Sequence, residues 1–211
     1  MNNSVKGISE PARPVLKADW KIENIVATAT MHVDGGIIDL GSVTRKHADC
    51  EYNPERFPGL IMRFAEPRFT ALVFSTGKAV ITGLRAETSV GDAVKLVIDK
   101  LKKAGVAVLD DSEFKVQNIV ASGDVHAPID LNEATLVLDN SIYEPEVFPG
   151  LIYRVKEESN VPKAVFLLFS TGRVVCTGTK NKEDVGKSME RLAEVLEELD
   201  LAGGKKPLDE A

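Results

Sequence analysis

The chain has 211 residues, 44% of them hydrophobic and 27% charged, with a formal net charge of −6. That length holds one large or two small domains. The acidic balance argues against nucleic acid as a partner, because nucleic-acid binders usually carry a basic patch or stripe.

Residues 1 to about 19 have no periodicity and read as a mobile arm. They lack the apolar stretch of a signal peptide, and nowhere in the chain is there an apolar run of about 18 residues. The expectation is an intracellular protein. A first strand is predicted over Lys21–Thr30. Asp39 is placed to cap a short helix carrying Leu40, Val43 and, on the same stripe, His47. A further short strand is predicted near Asp49–Asn53, then strands near Leu60–Phe64, Thr70–Phe74 and Lys78–Thr82. The intervening Ser-Thr-Gly reads as a hairpin turn. Val90, Val94, Val97, Ile98 and Leu101 then fall on one stripe of a long amphipathic helix.

The same order recurs. Ile22–Ala27 matches Val116–Ala121 at an offset of 94, Tyr52–Arg63 matches Tyr143–Arg154 at 91, and Phe74–Lys78 matches Phe169–Arg173 at 95. Nine of twelve positions are identical between Y-N-P-E-R-F-P-G-L-I-M-R and Y-E-P-E-V-F-P-G-L-I-Y-R. The changing offset puts about three extra residues near Asp34–Gly36 in the first copy and about four near Glu157–Asn160 in the second, as loop insertions. The second copy therefore has a strand at Phe114–Asp124 and a short helix capped by Asp130 with Leu131 and Ala134. Strands follow at Asn140–Glu144, Leu151–Val155, Ala164–Phe169 and Arg173–Thr177. A long helix carries Val185, Met189, Leu192, Leu196 and Leu199 on its apolar stripe. Two copies of this length make a pseudo-twofold pair, not a solenoid. The expected limits are an arm at 1–19, repeats at 20–108 and 109–202, and a short tail at 203–211.

Alternation along the strands separates two faces. Ile25, Ala27, Ala71, Val73, Ala79, Ile81, Ile119, Ala121, Phe166, Leu168, Val174 and Cys176 form an apolar set suited to a core beneath the helices. The opposite set is Asn24, Val26, Thr70, Leu72, Phe74, Lys78, Val80 and Thr82, with Asn118, Val120, Val165, Leu167, Phe169, Arg173, Val175 and Thr177. With helices on one side only, this second set is a large apolar surface that needs a use, or a cover supplied by the other repeat or a second copy. It has amides and threonines in pairs, no acidic residue at those positions, and phenylalanines toward both ends. Those properties suit the DNA minor groove, whose edges show acceptors at A·T pairs and the guanine amino group at G·C pairs. Apolar wedges are the means of opening it.

The duplicated E-N-I-V-A and Q-N-I-V-A, the two F-P-G-L-I segments, F-S-T-G-K and F-S-T-G-R, and the paired Thr-Gly resemble the TATA-box-binding proteins over residues 20–201. That resemblance implies a curved antiparallel ten-stranded saddle in an α+β fold, with helices on the convex side and DNA on the concave side. A kink of about 80° is a known property of the family and is not read from these residues. The resemblance implies Phe57, Phe74, Phe148 and Phe169 as wedges and Asn24 and Asn118 as central base contacts. It gives Val26, Val80, Thr82, Val120, Val175 and Thr177 to the groove floor, with Leu72 and Leu167 beside the wedges. Arg56, Arg63, Lys78, Arg154 and Arg173 become phosphate contacts. It further implies that Glu144, Glu146 and Val147 dock transcription factor B, through which RNA polymerase is reached. Asn53, Glu55 and Arg56 stand at the matching places of the first copy, an asymmetry that gives the complex a direction. A homodimer of the free protein through the concave face is a further expected partner. Acidic charge and F-P-G-L in both copies look like the archaeal branch, which implies a cytoplasmic or nucleoid location; a eukaryotic member would be nuclear. Negative charge is expected on the helical face, leaving the open face neutral to basic.

No catalytic, metal or cofactor site is expected. His32, His47 and His126 match no catalytic spacing, and His47 reads as a satisfied core histidine. Glu157–Glu158 and Glu197–Glu198 read as solvated charge. Cys50 and Cys176 belong to no Cys-x-x-Cys pair. Two other readings fit parts of the pattern: an accessory saddle domain of a nucleic-acid enzyme, for which no catalytic length remains, and a sheet-lined module for a peptide or apolar ligand.

Overall fold

The computed structural model describes residues 16–109, 111–156 and 161–203. Ten strands and four helices follow one another as β1 (Asp19–Thr30), α1 (Leu40–Lys46), β2 (Cys50–Glu51), β3 (Leu60–Ala65), β4 (Arg68–Val73), β5 (Lys78–Leu84), α2 (Ser89–Lys103), β6 (Glu113–Asp124), α3 (Leu131–Val137), β7 (Ser141–Ile142), β8 (Leu151–Val155), β9 (Ala164–Leu168), β10 (Arg173–Thr179) and α4 (Lys182–Glu198). The strands make one curved antiparallel sheet in the order β2-β3-β4-β5-β1-β6-β10-β9-β8-β7. That order reads the same from either end once repeat equivalents are exchanged, so a pseudo-twofold axis passes between β1 and β6. These two strands pair along their whole length, Asp19 opposite Asp124 and Thr30 opposite Glu113.

The helices lie on one side. Val90, Ala93, Val94, Val97 and Leu101 of α2 and Val185, Met189, Leu192 and Leu196 of α4 are buried against the apolar strand set predicted to face them, every member of which is buried. Aromatic residues tie the repeats together. Phe114 of β6 lies over Gly91 of α2, and Trp20 of β1 lies over Gly186 of α4. The short helices start as the sequence requires: the Asp39 carboxylate accepts from Ser42 N and that of Asp130 from Glu133 N. The insertion at Asp34–Gly36 is a turn, with Gly35 and Gly36 at positive φ.

Several expectations change. Asp19 already pairs in β1, and Leu16 N donates to Glu197 Oε2, so the end of the predicted arm is tied to α4. Residues 1–15, Glu157–Asn160 and 204–211 lie outside the described residues. The strands predicted at Asp49–Asn53 and Asn140–Glu144 shrink to two residues each. Thr70–Phe74 and Ala164–Phe169 each end one residue early. His47 is the half-buried C-cap of α1, its Nε2 3.1 Å from Lys100 O, and not a core residue of the helix stripe. Leu199 caps α4 and is exposed, because the helix ends at Glu198. Among the described residues no helix is long and apolar enough to cross a membrane.

Candidate nucleic-acid interface

The concave side of the sheet has no helix over it, and its residues are half-buried only by one another. Asn24, Val26, Leu72, Val80, Thr82, Asn118, Val120, Leu167, Val175 and Thr177 all show this intermediate exposure. At the centre, β1 and β6 bring Asn24 and Asn118 together across the axis: Val26 pairs with Asn118 and Asn24 with Val120.

Each asparagine is held by its neighbouring strand. Asn24 Oδ1 accepts from Gly83 N at 2.7 Å and from Thr82 Oγ1 at 3.2 Å. Asn118 Oδ1 accepts from Gly178 N at 2.8 Å and lies 3.3 Å from Thr177 Oγ1. The Thr-Gly pairs make this possible. Gly83 and Gly178 have φ near +101° and +97°, and the register of β10 shifts between Thr177 and Thr179, so each glycine is a bulge that turns its N–H toward the amide. With the carbonyl oxygen occupied, what each asparagine has to offer is its NH2; Asn118 Nδ2 donates one hydrogen to Thr177 Oγ1 at 3.0 Å, which leaves it one. Donors at the centre of an apolar floor match the acceptor-only edge of A·T pairs in the minor groove.

The four phenylalanines stand in two edge-to-face pairs. The centroids of Phe57 and Phe74 are 5.8 Å apart, and those of Phe148 and Phe169 are 5.9 Å apart. All four rings are half-buried. Backbone bonds Phe57 N–Asn53 O and Phe148 N–Glu144 O, both 2.9 Å, fold each segment before the ring into a tight turn. The glycine two residues on is there for space: a Cβ on Gly59 would stand 2.6 Å from Phe57 Cε1, and one on Gly150 2.7 Å from Phe148 Cε1. Phe74 and Phe169 head the hairpins, with Gly77 and Gly172 closing the turns at positive φ.

Arg56, Arg63, Lys78, Arg154 and Arg173 are exposed around this face. Among the described residues, only Arg63 of these five is in an ion pair, at 2.6 Å from Glu51 Oε1. Ile61 and Ile152, missed by the sequence reading, extend the floor, since they pair with Leu72 and Leu167. Glu144, Glu146 and Val147 lie exposed on the turn before Phe148, Val147 at 80%.

The face is not uniformly neutral to basic, which corrects the expectation. The hollow beside Phe169 is lined by Asp19, Glu23 and Asp124 along with Lys21 and Arg173, whereas the matching hollow beside Phe74 has Lys78 and no carboxylate in its lining. Glu23 enters because β1 bulges there, leaving it unpaired between Ile22 and Asn24. Its carboxylate accepts from Ser122 Oγ at 2.6 Å and lies 3.1 Å from Lys21 Nζ. The Ser122 hydrogen bond, then that from Lys21, holds it below the usual glutamate range. The repeat equivalent is Gln117, which reverses the direction: its Nε2 donates to Thr28 Oγ1 at 2.7 Å. The cysteines are buried, and burial pushes the Cys176 thiol up to about 12. Among the described residues no three His, Cys, Asp or Glu side chains are grouped to hold a metal.

Comparison with known proteins agrees with this geometry. The family model described as "Transcription factor TFIID (or TATA-binding protein, TBP)" matches residues 19–104 and 113–199. Curated TATA-box-binding proteins of Pyrobaculum aerophilum and Archaeoglobus fulgidus are 46% and 45% identical over 180 and 183 residues, covering 85% and 86% of this chain and 87% and 96% of theirs. The one from Sulfolobus acidocaldarius is 42% identical over 92% of this chain and 93% of its own. A solved structure, Methanococcus jannaschii TBP, superposes with a TM-score of 0.75 at 36% identity, covering 85% of this chain and 99% of that one. The chain belongs to the TATA-box-binding protein family of general transcription factors, which are DNA-binding proteins and not enzymes.

Proposed function

We propose that the concave face binds the minor groove of TATA-type promoter DNA and kinks it at both ends. Asn24 and Asn118 read the acceptor floor. Val26, Leu72, Val80, Thr82, Val120, Leu167, Val175 and Thr177 line it, and the pairs Phe57–Phe74 and Phe148–Phe169 wedge between base steps. Arg56, Arg63, Lys78, Arg154 and Arg173 hold phosphates. The observation that carries this reading is the pinned amide: both carbonyl oxygens are taken by bulge N–H groups, so what the centre offers is a donor. A guanine amino group at that point is a second donor and crowds the floor. Fluorescence anisotropy with a TATA duplex and a G·C-substituted duplex of equal length tests it, and equal affinity for the two would remove the proposed specificity.

The bent complex is then presented to transcription factor B through Glu144, Glu146 and Val147, and through it to RNA polymerase. The repeats differ in a way that supports a partner on the second one. Leu136, Val137, Ile142 and Val147 are all exposed. The repeat equivalents are Arg45, Lys46, Glu51 and Arg56, all charged. Without DNA, the same apolar concave face supports a homodimer, which sedimentation would detect as a dimer dissolved by TATA duplex. The protein acts inside the cell, where its DNA is.

A further inference from the structure

The two halves of the concave face carry different chemistry at one matched place. β1 and β6 bulge at equivalent points, and the extra residue is Glu23 in one strand and Gln117 in the other. Both side chains lie off the centre, each toward one pair of wedges. Glu23 binds Ser122, which pairs with Val175, in the hollow beside Phe169. Gln117 binds Thr28, which pairs with Val80 and lines the hollow beside Phe74.

The capacities of the two groups differ. Glu23 Oε1 accepts from the Ser122 hydroxyl at 2.6 Å and lies 3.1 Å from Lys21 Nζ. Oε2 has no hydrogen bond among the described residues; an Arg85 guanidinium nitrogen stands 3.8 Å away, beyond hydrogen-bond reach. The carboxylate can accept another hydrogen and can donate none. Its side chain keeps 29% of its surface, so a partner laid on the face can reach it. The other two carboxylates of that hollow are engaged by His126: its Nε2 is 2.9 Å from Asp19, and its backbone N donates to Asp124 at 2.8 Å. Gln117 gives one amide hydrogen to Thr28 and keeps one to offer.

A·T edges in the minor groove present acceptors only, so a carboxylate laid against them is repelled. The guanine amino group is the donor that this groove has to give, and a hydrogen bond to a carboxylate is of the stronger, charge-assisted kind. We infer, on the basis of the minor-groove reading of this face, that Glu23 accepts the amino group of a G·C pair lying between the centre and the Phe169 end, while the Gln117 half takes A·T at the mirrored place. The protein then reads an asymmetric site with its own side chains, and a single G·C pair fixes which repeat lies on which half.

A self-complementary TATATATA duplex is the probe, with 2-aminoadenine replacing chosen adenines. The added amino group stands where that of guanine stands and leaves the major groove unchanged. It is placed at each position between the centre and an end, on one half alone or on both mirrored halves, and affinity is read by fluorescence anisotropy at fixed salt. At one position the singly substituted duplex binds at least as tightly as the unmodified one, because the protein can turn Glu23 toward the amino group. The doubly substituted duplex binds about tenfold more weakly. Glu23→Gln loses the tolerance, so that the first amino group already costs about tenfold. Gln117→Glu, which places a carboxylate in both halves, brings the doubly substituted duplex up to the singly substituted one; this variant decides the matter if Glu23→Gln fails to fold. A parent that loses affinity equally with the first and second amino group at every position overturns the inference. So does an unchanged pattern in a folded Glu23→Gln. No binding of the unmodified duplex removes the minor-groove reading itself, and this assignment with it.

Discussion

Asn118→Asp isolates the donor at the centre of the face. The substitution is isosteric, and a carboxylate oxygen still accepts from Gly178 N, which lies 2.8 Å from Oδ1. The bulge and the fold are kept. The group offered to DNA changes from an NH2 donor to a charged acceptor facing other acceptors. Losing one good base-edge contact costs about 1–3 kcal/mol, and desolvating a carboxylate whose outer oxygen has only the Thr177 hydroxyl beside it, at the 3.0 Å now spanned by Nδ2, adds a penalty of similar size. A loss of about 3 kcal/mol weakens binding on the order of 100-fold. Anisotropy on a TATA duplex at fixed salt measures it, with thermal melting as the control for folding. A stability loss of 1 kcal/mol lowers the melting temperature of a chain this size by about 2–4 °C, so a variant melting within that range of the parent has kept its fold. A Kd within threefold of the parent in such a variant would refute the donor assignment.

Four further outcomes are expected. Phe148→Ala removes one wedge at the second end: bending and stable binding fall while melting changes little, and an unchanged bend angle would refute the wedge role. Gly77→Ala, whose new Cβ would meet Met31 O at a φ of +80°, lowers stability by about 3 kcal/mol or more, whereas Gly35→Ala, with nothing within 4 Å, costs only the left-handed backbone term of roughly 1–2 kcal/mol; comparative melting separates the two. Glu146→Arg spares DNA binding and weakens recruitment of transcription factor B in a gel supershift, and equal recruitment would remove that surface from the account. His126, held 2.9 Å from Asp19, titrates above its ordinary value of 6.5 because of that hydrogen bond; its clip between β6 and β1 is fully present below pH 6.5 and is lost as pH rises through the raised value, so a histidine NMR titration that gives an unshifted midpoint would contradict it.

Much of this was legible because alternation and repetition act together. Ile25, Ala71, Ile81 and Cys176 were assigned to the core and Val26, Leu72, Val80 and Val175 to the open face from period two alone, and burial divides them in the same way. What alternation cannot carry is a bulge. Glu23 and Gln117 sit at unpaired positions that shift the phase of β1 and β6, so their place on the open side was hidden. The Thr-Gly motif was visible, but its purpose, an N–H aimed at an asparagine 59 or 60 residues away, needs the register. The duplicated Phe-Pro-Gly was visible too, but only the structure shows its glycine yielding space to a ring. His47 was misplaced because α1 ends at Lys46, one residue before the stripe would reach it.

End-to-end fluorescence energy transfer on a short, doubly labelled TATA duplex reads the bend in the DNA itself. Transfer rises on adding protein, only for the TATA duplex and not for its G·C-substituted counterpart, if the concave face kinks promoter DNA. Saturable binding without a change in transfer, or the same change on both duplexes, would contradict it.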